Sequence, residues 1–362
     1  MRKKYKRVVV KVGSSSITNS SGIIKDNFNN LIKDCCHRSK DGIEVVLVSS
    51  GAIQLARSQT PEIDSKEMSD LQALSAIGQP LLMNAYQKQF KKYDIKIAQI
   101  LLTHQDLGSR VRHLNTTNTL ESLINKGFIP IVNENDTVSY SEITVGDNDQ
   151  LAAMVASALD ADLLILLTEP NGLYTGHPEK SDSKLIRTVD PDDSLRNIIT
   201  KGKSNAGRGG MTSKISAVRR VTPRGIPAII ATIQCKKPLS NALGGKGTYF
   251  KAEKKQYSSR KAWLVATTKA GCCIRVDKGA AAAITKGSSL LPSGIVSCSG
   301  HFRRGDSILL KQGRKILGFG ITEYSQREVD RIKGLNSNAI RDILPDSHSR
   351  VIIHRNNFVP KE

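Results

Sequence analysis

Over the first 250 residues, short apolar runs alternate with longer stretches whose apolar positions recur at helical spacing. Val8-Val9-Val10 followed by Val12 reads as a buried strand. Asp26 to Lys40 places Phe28, Leu31, Ile32 and Cys35 on one helical face and closes at Gly42. Glu44 to Val48 is a second strand. Lys66 to Tyr93 is a long helical pattern, and Gly78-Gln79-Pro80 is expected to break it. Ile95 to Leu102 reads as a strand, Thr116 to Lys126 as a helix and Phe128 to Val132 as a strand. Gln150 to Ala161 is an Ala-rich helix, and Asp162 to Glu169 is the clearest buried strand of the chain. A short helix over Asp192 to Thr200, a helix over Ile215 to Arg220 and a strand over Pro227 to Thr232 complete the run. This alternation predicts an α/β domain, a mostly parallel sheet sandwiched by helices.

The pattern changes after residue 250. Residues 251–262 are charged and polar, as in a linker. From Trp263 onward, short β-type runs follow one another: Gly271 to Val276, Gly294 to Cys298, Ser307 to Leu310, Ile316 to Ile321 and Arg350 to His354. Turns rich in Gly, Ser and Pro separate them, which predicts a small β-barrel-like domain over 263–355 with one or two helices, and a tail over 356–362.

Charge sharpens this division. The chain of 362 residues has a formal net charge of +21, of which residues 251–362 carry +12 and the longer first part +9. The second domain is therefore the more basic per residue, which points to a polyanionic partner; the plain alternative is a solvated lysine-rich surface. Six cysteines show no Cys-x-x-Cys spacing and seven histidines are scattered, so neither a zinc site nor a disulfide framework is expected. A reducing cytoplasm fits that usage. The apolar run behind the basic start, Val8 to Val10, is too short for a signal-peptide core, and no stretch approaches a membrane span.

Candidate chemistry collects at strand ends. Between the strand ending at Val132 and the helix from Gln150, Asn133 to Asp149 holds five carboxylates. In open α/β sheets ligands bind at that place, although Asp147 or Asn148 could serve simply as an N-cap. Ser50 and Gly51 mark a turn after the second strand where backbone amides could face a ligand. Lys11 is unusual inside an apolar strand unless its ammonium emerges at the sheet end. Lys203 to Lys214 is glycine-rich and opens onto a helix with a lysine in its first turn, an arrangement that suits phosphate. It is not a Walker A loop, since Asn197 stands where the first glycine of that motif belongs.

These pieces, Val9-Val10-Lys11-Val12-Gly13-Ser14-Ser15, Val48 to Ile53, Val132 to Asp136, Val145 to Asp149, Thr168-Glu169 with Gly172 to Thr175, and Gly209 to Lys214, resemble the amino acid kinase superfamily in order and spacing. Within it they are similar to the glutamate 5-kinase family, and residues 263–355 resemble a PUA domain. The resemblance implies phosphorylation of the L-glutamate γ-carboxylate by ATP with Mg2+, the first step of proline biosynthesis. It assigns Lys11 and Lys214 to bracing the transferring phosphoryl group and Asp149 to orienting those lysines. Ser50, Gly51, Asn133, Asp136 and Asn148 fall to the glutamate-binding set. Lys11, Thr168, Glu169, Arg208, Gly209, Gly210, Met211, Thr212, Ser213 and Lys214 fall to the nucleotide. Arg208 and Glu169 depart from the family pattern, where a small or hydroxyl residue and an Asp are usual. The resemblance further implies proline as a feedback inhibitor, a homo-oligomer, and RNA contact through the PUA domain, with no membrane partner and no protein-borne metal site. Two alternatives stand beside this reading. One is a related kinase acting on acetylglutamate, aspartate, carbamate or UMP, and the other an RNA-binding or RNA-modifying protein that uses the basic second domain. Few aromatic residues there offer bases a stacking platform.

Overall fold

The computed structural model describes residues 5–63, 67–108, 110–138, 148–178, 180, 182–191, 210–253, 268–336, 339–345 and 349–361. The chain divides into two compact units, 1–256 and 257–362.

In the first unit the strands are β1 (Arg7–Val12), β2 (Thr18–Asn19), β3 (Gly22–Ile23), β4 (Glu44–Val48), β5 (Ile97–Leu102), β6 (Ile129–Glu134), β7 (Leu163–Thr168), β8 (Thr188–Val189), β9 (Ala228–Thr232) and β10 (Thr248–Phe250). β2 and β3 form a small hairpin. The others make one sheet in the order β5-β6-β4-β1-β7-β9-β10-β8. The strands from β5 to β9 are parallel, and β10 pairs antiparallel to β9 and parallel to β8.

Strand alternation divides the core into two layers. Val8, Val10 and Val12 of β1 pack with Phe28, Leu31 and Ile32 of helix Lys25–Lys40 and with Leu82, Tyr86 and Phe90 of helix Met68–Lys91. Val9 packs on the other face with Leu120 and Ile124 of helix Arg110–Asn125, Leu151 and Val155 of helix Asn148–Ala158, and Ile215 and Val218 of helix Met211–Val221. Both layers are apolar, so central strands such as Leu163-Leu164-Ile165-Leu166-Leu167 are buried throughout, as a covered parallel sheet requires.

Helix Met68–Lys91 is unbroken, against the expected interruption at Gly78-Gln79-Pro80. Its buried face of Leu71, Leu74, Leu82, Tyr86 and Phe90 carries it through the proline, which lies on the exposed side. Gly78 is required for contact instead: a Cβ there would sit 1.9 Å from the Ala52 carbonyl oxygen of helix Ala52–Arg57. The helix expected from Thr116 starts earlier, at Arg110, because its first turns are polar and carry no apolar period. The helix expected over Asp192 to Thr200 lies outside the described residues.

The second unit holds a sheet in the order β12-β11-β13-β14-β15, with β11 (Thr268–Val276), β12 (Ile295–Ser299), β13 (Ser307–Gln312), β14 (Lys315–Ile321) and β15 (Phe358–Pro360). Helices Lys278–Thr285, Gln326–Ile332 and Ile340–Ile343 accompany it. Asp277 caps the first of these by accepting from the Ala280 amide, and Ser325 with Glu328 forms a capping box on the second. Arg350 to His354 is not a sheet strand; Ile353 makes only an isolated bridge to Leu290. The segment 356–362, set apart by its pattern as a tail, instead supplies β15, which pairs with Gly318 to Gly320. Cys272, Ile274, Ile284, Leu310, Tyr324, Val329 and Ile352 form a core within this unit alone.

With separate cores, the units are expected to fold independently. A chain ending at Gln256 should melt in a single cooperative transition that matches one of two in the full chain, measured by calorimetry. A non-cooperative or unfolded fragment would show that the first unit depends on the second.

Candidate active site

The parity of β1 places Lys11. It shares the face of Val9, and beyond Val9 that face opens between two helix starts at the carboxyl end of the sheet. Asp149 lies in the first turn of helix Asn148–Ala158, and Ser213 and Lys214 in the first turn of helix Met211–Val221. The Lys11 Nζ is 2.7 Å from Asp149 Oδ1, and the Lys214 Nζ is 3.2 Å from Asp149 Oδ2. Ser213 Oγ donates to the same Oδ2 at 3.0 Å. Lys11 is 4% exposed, Lys214 6% and Asp149 0%, so three ionic groups share one water-poor site. Burial alone would raise the Asp149 pKa; the attraction of Lys11 and Lys214 and the hydrogen bonds from Lys11 and Ser213 outweigh it and hold the carboxyl below its ordinary value. The three groups sum to one positive charge, and two helix N-termini add their partial charges. That combination binds anions.

One residue earlier, Asn148 faces a different set. Its Nδ2 lies 2.7 Å from the Ser49 carbonyl, 2.7 Å from Ser50 Oγ and 3.0 Å from Asn133 Oδ1, three acceptors sharing two protons. Asn133 Oδ1 also accepts from the Glu134 backbone amide at 2.9 Å, and Asn133 Nδ2 donates to Gln79 Oε1 at 2.7 Å. Ser49 Oγ lies 2.9 Å from the Tyr86 hydroxyl. The ends of β4 and β6 are thus joined by amides to the helix carrying Asp149. Gly51 has φ 101°, and a Cβ there would meet Thr18 Oγ1 at 3.0 Å, so this turn requires glycine.

Asp136 stands just past β6 and accepts a hydrogen bond from Ser75 Oγ at 3.3 Å. Burial pushes its carboxyl up to about 6 despite that bond. Thr168 and Glu169 end β7 beside β9; the Thr168 carbonyl accepts from the Ile233 amide, and the Glu169 carbonyl accepts from Thr232 Oγ1 at 2.8 Å. Gly210 is the N-cap of helix Met211–Val221, with no atom of the described residues near where its Cβ would stand, and Met211, Thr212 and Ser213 form the first turn. Arg208 and Gly209 lie outside the described residues.

The structure therefore gathers Lys11, Asp149, Ser213 and Lys214 into one cluster, and Ser50, Asn133 and Asn148 into a second that adjoins it through the Asn148–Asp149 peptide. Asp136 is held by Ser75 of helix Met68–Lys91, the helix whose Gln79 holds Asn133 of the second. Sequence reasoning missed that helix's contribution: Ser75, Gln79 and Tyr86 each hydrogen-bond a residue at the sheet end. The signal was available, because all three lie on the same buried face as Leu71, Leu74 and Leu82.

The chain matches the model of the amino acid kinase family over residues 6–232 and that of the PUA domain over residues 273–344. It is similar to the glutamate 5-kinase of Dictyoglomus turgidum, 42% identical over 98% of this chain and 97% of the relative. The glutamate 5-kinase of Caldanaerobacter subterraneus is 40% identical over 98% of both. Among solved structures, carbamate kinase from Giardia lamblia bound to AMP-PNP superposes with a TM-score of 0.53 at 16% identity, covering 69% of this chain and 99% of that one. This last likeness shows the fold of the first unit.

The Asp136 carboxyl holds its proton more tightly in the folded chain than at the ordinary value of 3.8. Ionising it in the fold therefore costs stability as pH rises through about 6, and below about pH 4 that cost is absent. Asp136→Asn should be more stable than the parent at pH 8, by about 1–3 kcal/mol, and nearly equal to it at pH 4. Urea unfolding at the two pH values measures this; a variant no more stable at pH 8 would contradict it.

Proposed function

The chain belongs to the amino acid kinase family, and from that premise we infer that it transfers the γ-phosphoryl group of ATP to the side-chain carboxylate of L-glutamate, giving L-glutamyl 5-phosphate and ADP. The observation that carries this reading is the buried Lys11–Asp149–Lys214 cluster at the carboxyl end of the sheet. Phosphoryl transfer needs positioning and charge neutralisation far more than covalent help. A γ-carboxylate with a pKa of about 4.3 is already ionised at neutral pH, so one of its oxygens attacks phosphorus with no base. The new O–P bond forms as the bond from the γ-phosphorus to the bridging oxygen breaks, and ADP leaves with that electron pair.

Lys11 and Lys214 brace the anionic oxygens while charge moves between acceptor and leaving group. Asp149 fixes both ammonium groups, so neither must be ordered during the reaction. We place Mg2+ with the nucleotide, where it neutralises phosphate charge. Asp149 is already held by two lysines, which suits a metal carried by phosphates. Gly210 to Ser213 together with Thr168 and Glu169 line the nucleotide side, and Ser50, Gly51, Asn133 and Asn148 the acceptor side. Asp136, half-buried and costly to ionise, gains a partner when the α-ammonium of glutamate arrives. Glutamate KM should accordingly rise as pH falls below about 6.

Proline offers the same α-ammonium and carboxylate, so we place its inhibition in this pocket; undiminished inhibition of Asp136→Asn would move it elsewhere. The family resemblance also supports a homo-oligomer, which sedimentation tests. For the second unit we retain RNA contact as a secondary property, on the net charge of +12 over residues 251–362. A structured RNA that shows no salt-dependent gel shift removes it.

Lys11→Met and Lys214→Met should each lower kcat about 100-fold or more, with glutamate KM changed far less, because the lost charge acts on the transition state. A coupled assay of ADP release measures this, and kcat kept within about threefold in either variant would refute the assigned role.

A further inference from the structure

The amide chain at the end of β6 has a fixed direction. The Glu134 backbone amide can only donate, so the Asn133 side-chain oxygen that it meets must be the acceptor. Asn133 Nδ2 is then the donor to Gln79, and the Gln79 atom facing it must be Oε1. The remaining Gln79 nitrogen, Nε2, is buried and has no hydrogen-bond partner among the described residues, in a side chain only 7% exposed. A buried donor without an acceptor is rare, and such a position is completed by a bound molecule, water or ligand.

Its surroundings indicate the ligand. Gln79 follows Ser75 by four residues on helix Met68–Lys91, so the two side chains stand one turn apart, with Cβ atoms roughly 6 Å from each other. Ser75 holds the Asp136 carboxylate, which has no ion pair among the described residues, and Gln79 presents a donor with no acceptor among them. An α-amino acid carries an ammonium and a carboxylate on one carbon, a cation for the first and an acceptor for the second. We propose that Gln79 Nε2 donates to the α-carboxylate of the amino acid substrate and is a specificity-determining residue, selecting for α-amino acids over simple carboxylates. This rests on the reading of glutamate as acceptor, whose γ-carboxylate faces the lysine cluster while its α-carbon lies against helix Met68–Lys91.

Gln79→Glu is the discriminating variant, since it keeps the oxygen that accepts from Asn133 and replaces only the free donor by an acceptor. Gln79→Met removes both, and thermal melting confirms that each variant is folded. The probe is 4-aminobutyrate, which retains the ammonium and the reacting carboxylate of glutamate but has no α-carboxylate. In both variants kcat/KM for glutamate should fall about tenfold or more, whereas that for 4-aminobutyrate should stay within about threefold of the parent. Parallel losses for the two substrates, or no loss for glutamate, would overturn the assignment of Gln79 while leaving glutamate as acceptor. A parent enzyme that does not phosphorylate glutamate at all would overturn the functional reading, and this assignment with it.

Discussion

Asp149 has no exposed surface, and a carboxylate removed from water must be met by positive charge or lose its own. Lys11 and Lys214 meet it, and each comes from a different layer of the fold. The sheet supplies Lys11, through a strand whose alternation turns that one side chain toward the helix starts. Helix Met211–Val221 supplies Lys214, and helix Asn148–Ala158 supplies the carboxylate itself. Removing any one member leaves the others buried with their charge less well matched. The geometry of this cluster and the packing of these three elements are in this sense the same constraint.

The neighbouring residue extends that constraint to the ends of β4 and β6. Asn148 and Asp149 are consecutive in a helical turn, so their side chains point in different directions. One gathers the ends of β4 and β6, and the other gathers two lysines. The amide cluster is thereby registered against the lysine cluster by a single peptide, with no long loop between them. Helix Met68–Lys91, from the opposite layer, is tied to the ends of β4 and β6 through Ser75, Gln79 and Tyr86.

Much of this was legible in the sequence. A lysine in an apolar strand, a glycine turn after β4 and an acidic stretch before an Ala-rich helix all carried their physical reasons on the surface of the pattern. What stayed hidden depended on approach between distant elements. Gly78 reads as a helix breaker next to Pro80, yet it is a point where two helices nearly touch at Ala52. Gln79 reads as an ordinary polar residue in a helix, since only the fold shows that Asn133 lies against it. β8 and β10 are too short for periodicity to reveal, and β15 is three residues following a segment that looks more like a strand.

The central claim is that Asp149 acts through the lysines it holds. A double-mutant cycle with Asp149→Asn and Lys214→Met tests it most directly, read as kcat/KM for glutamate at saturating ATP. If the carboxylate works by fixing the ammonium, the double variant should be no more than about threefold worse than the poorer single variant. Losses that multiply, so that the double variant falls by the product of the two single effects, would show that the two residues act independently and would contradict the account.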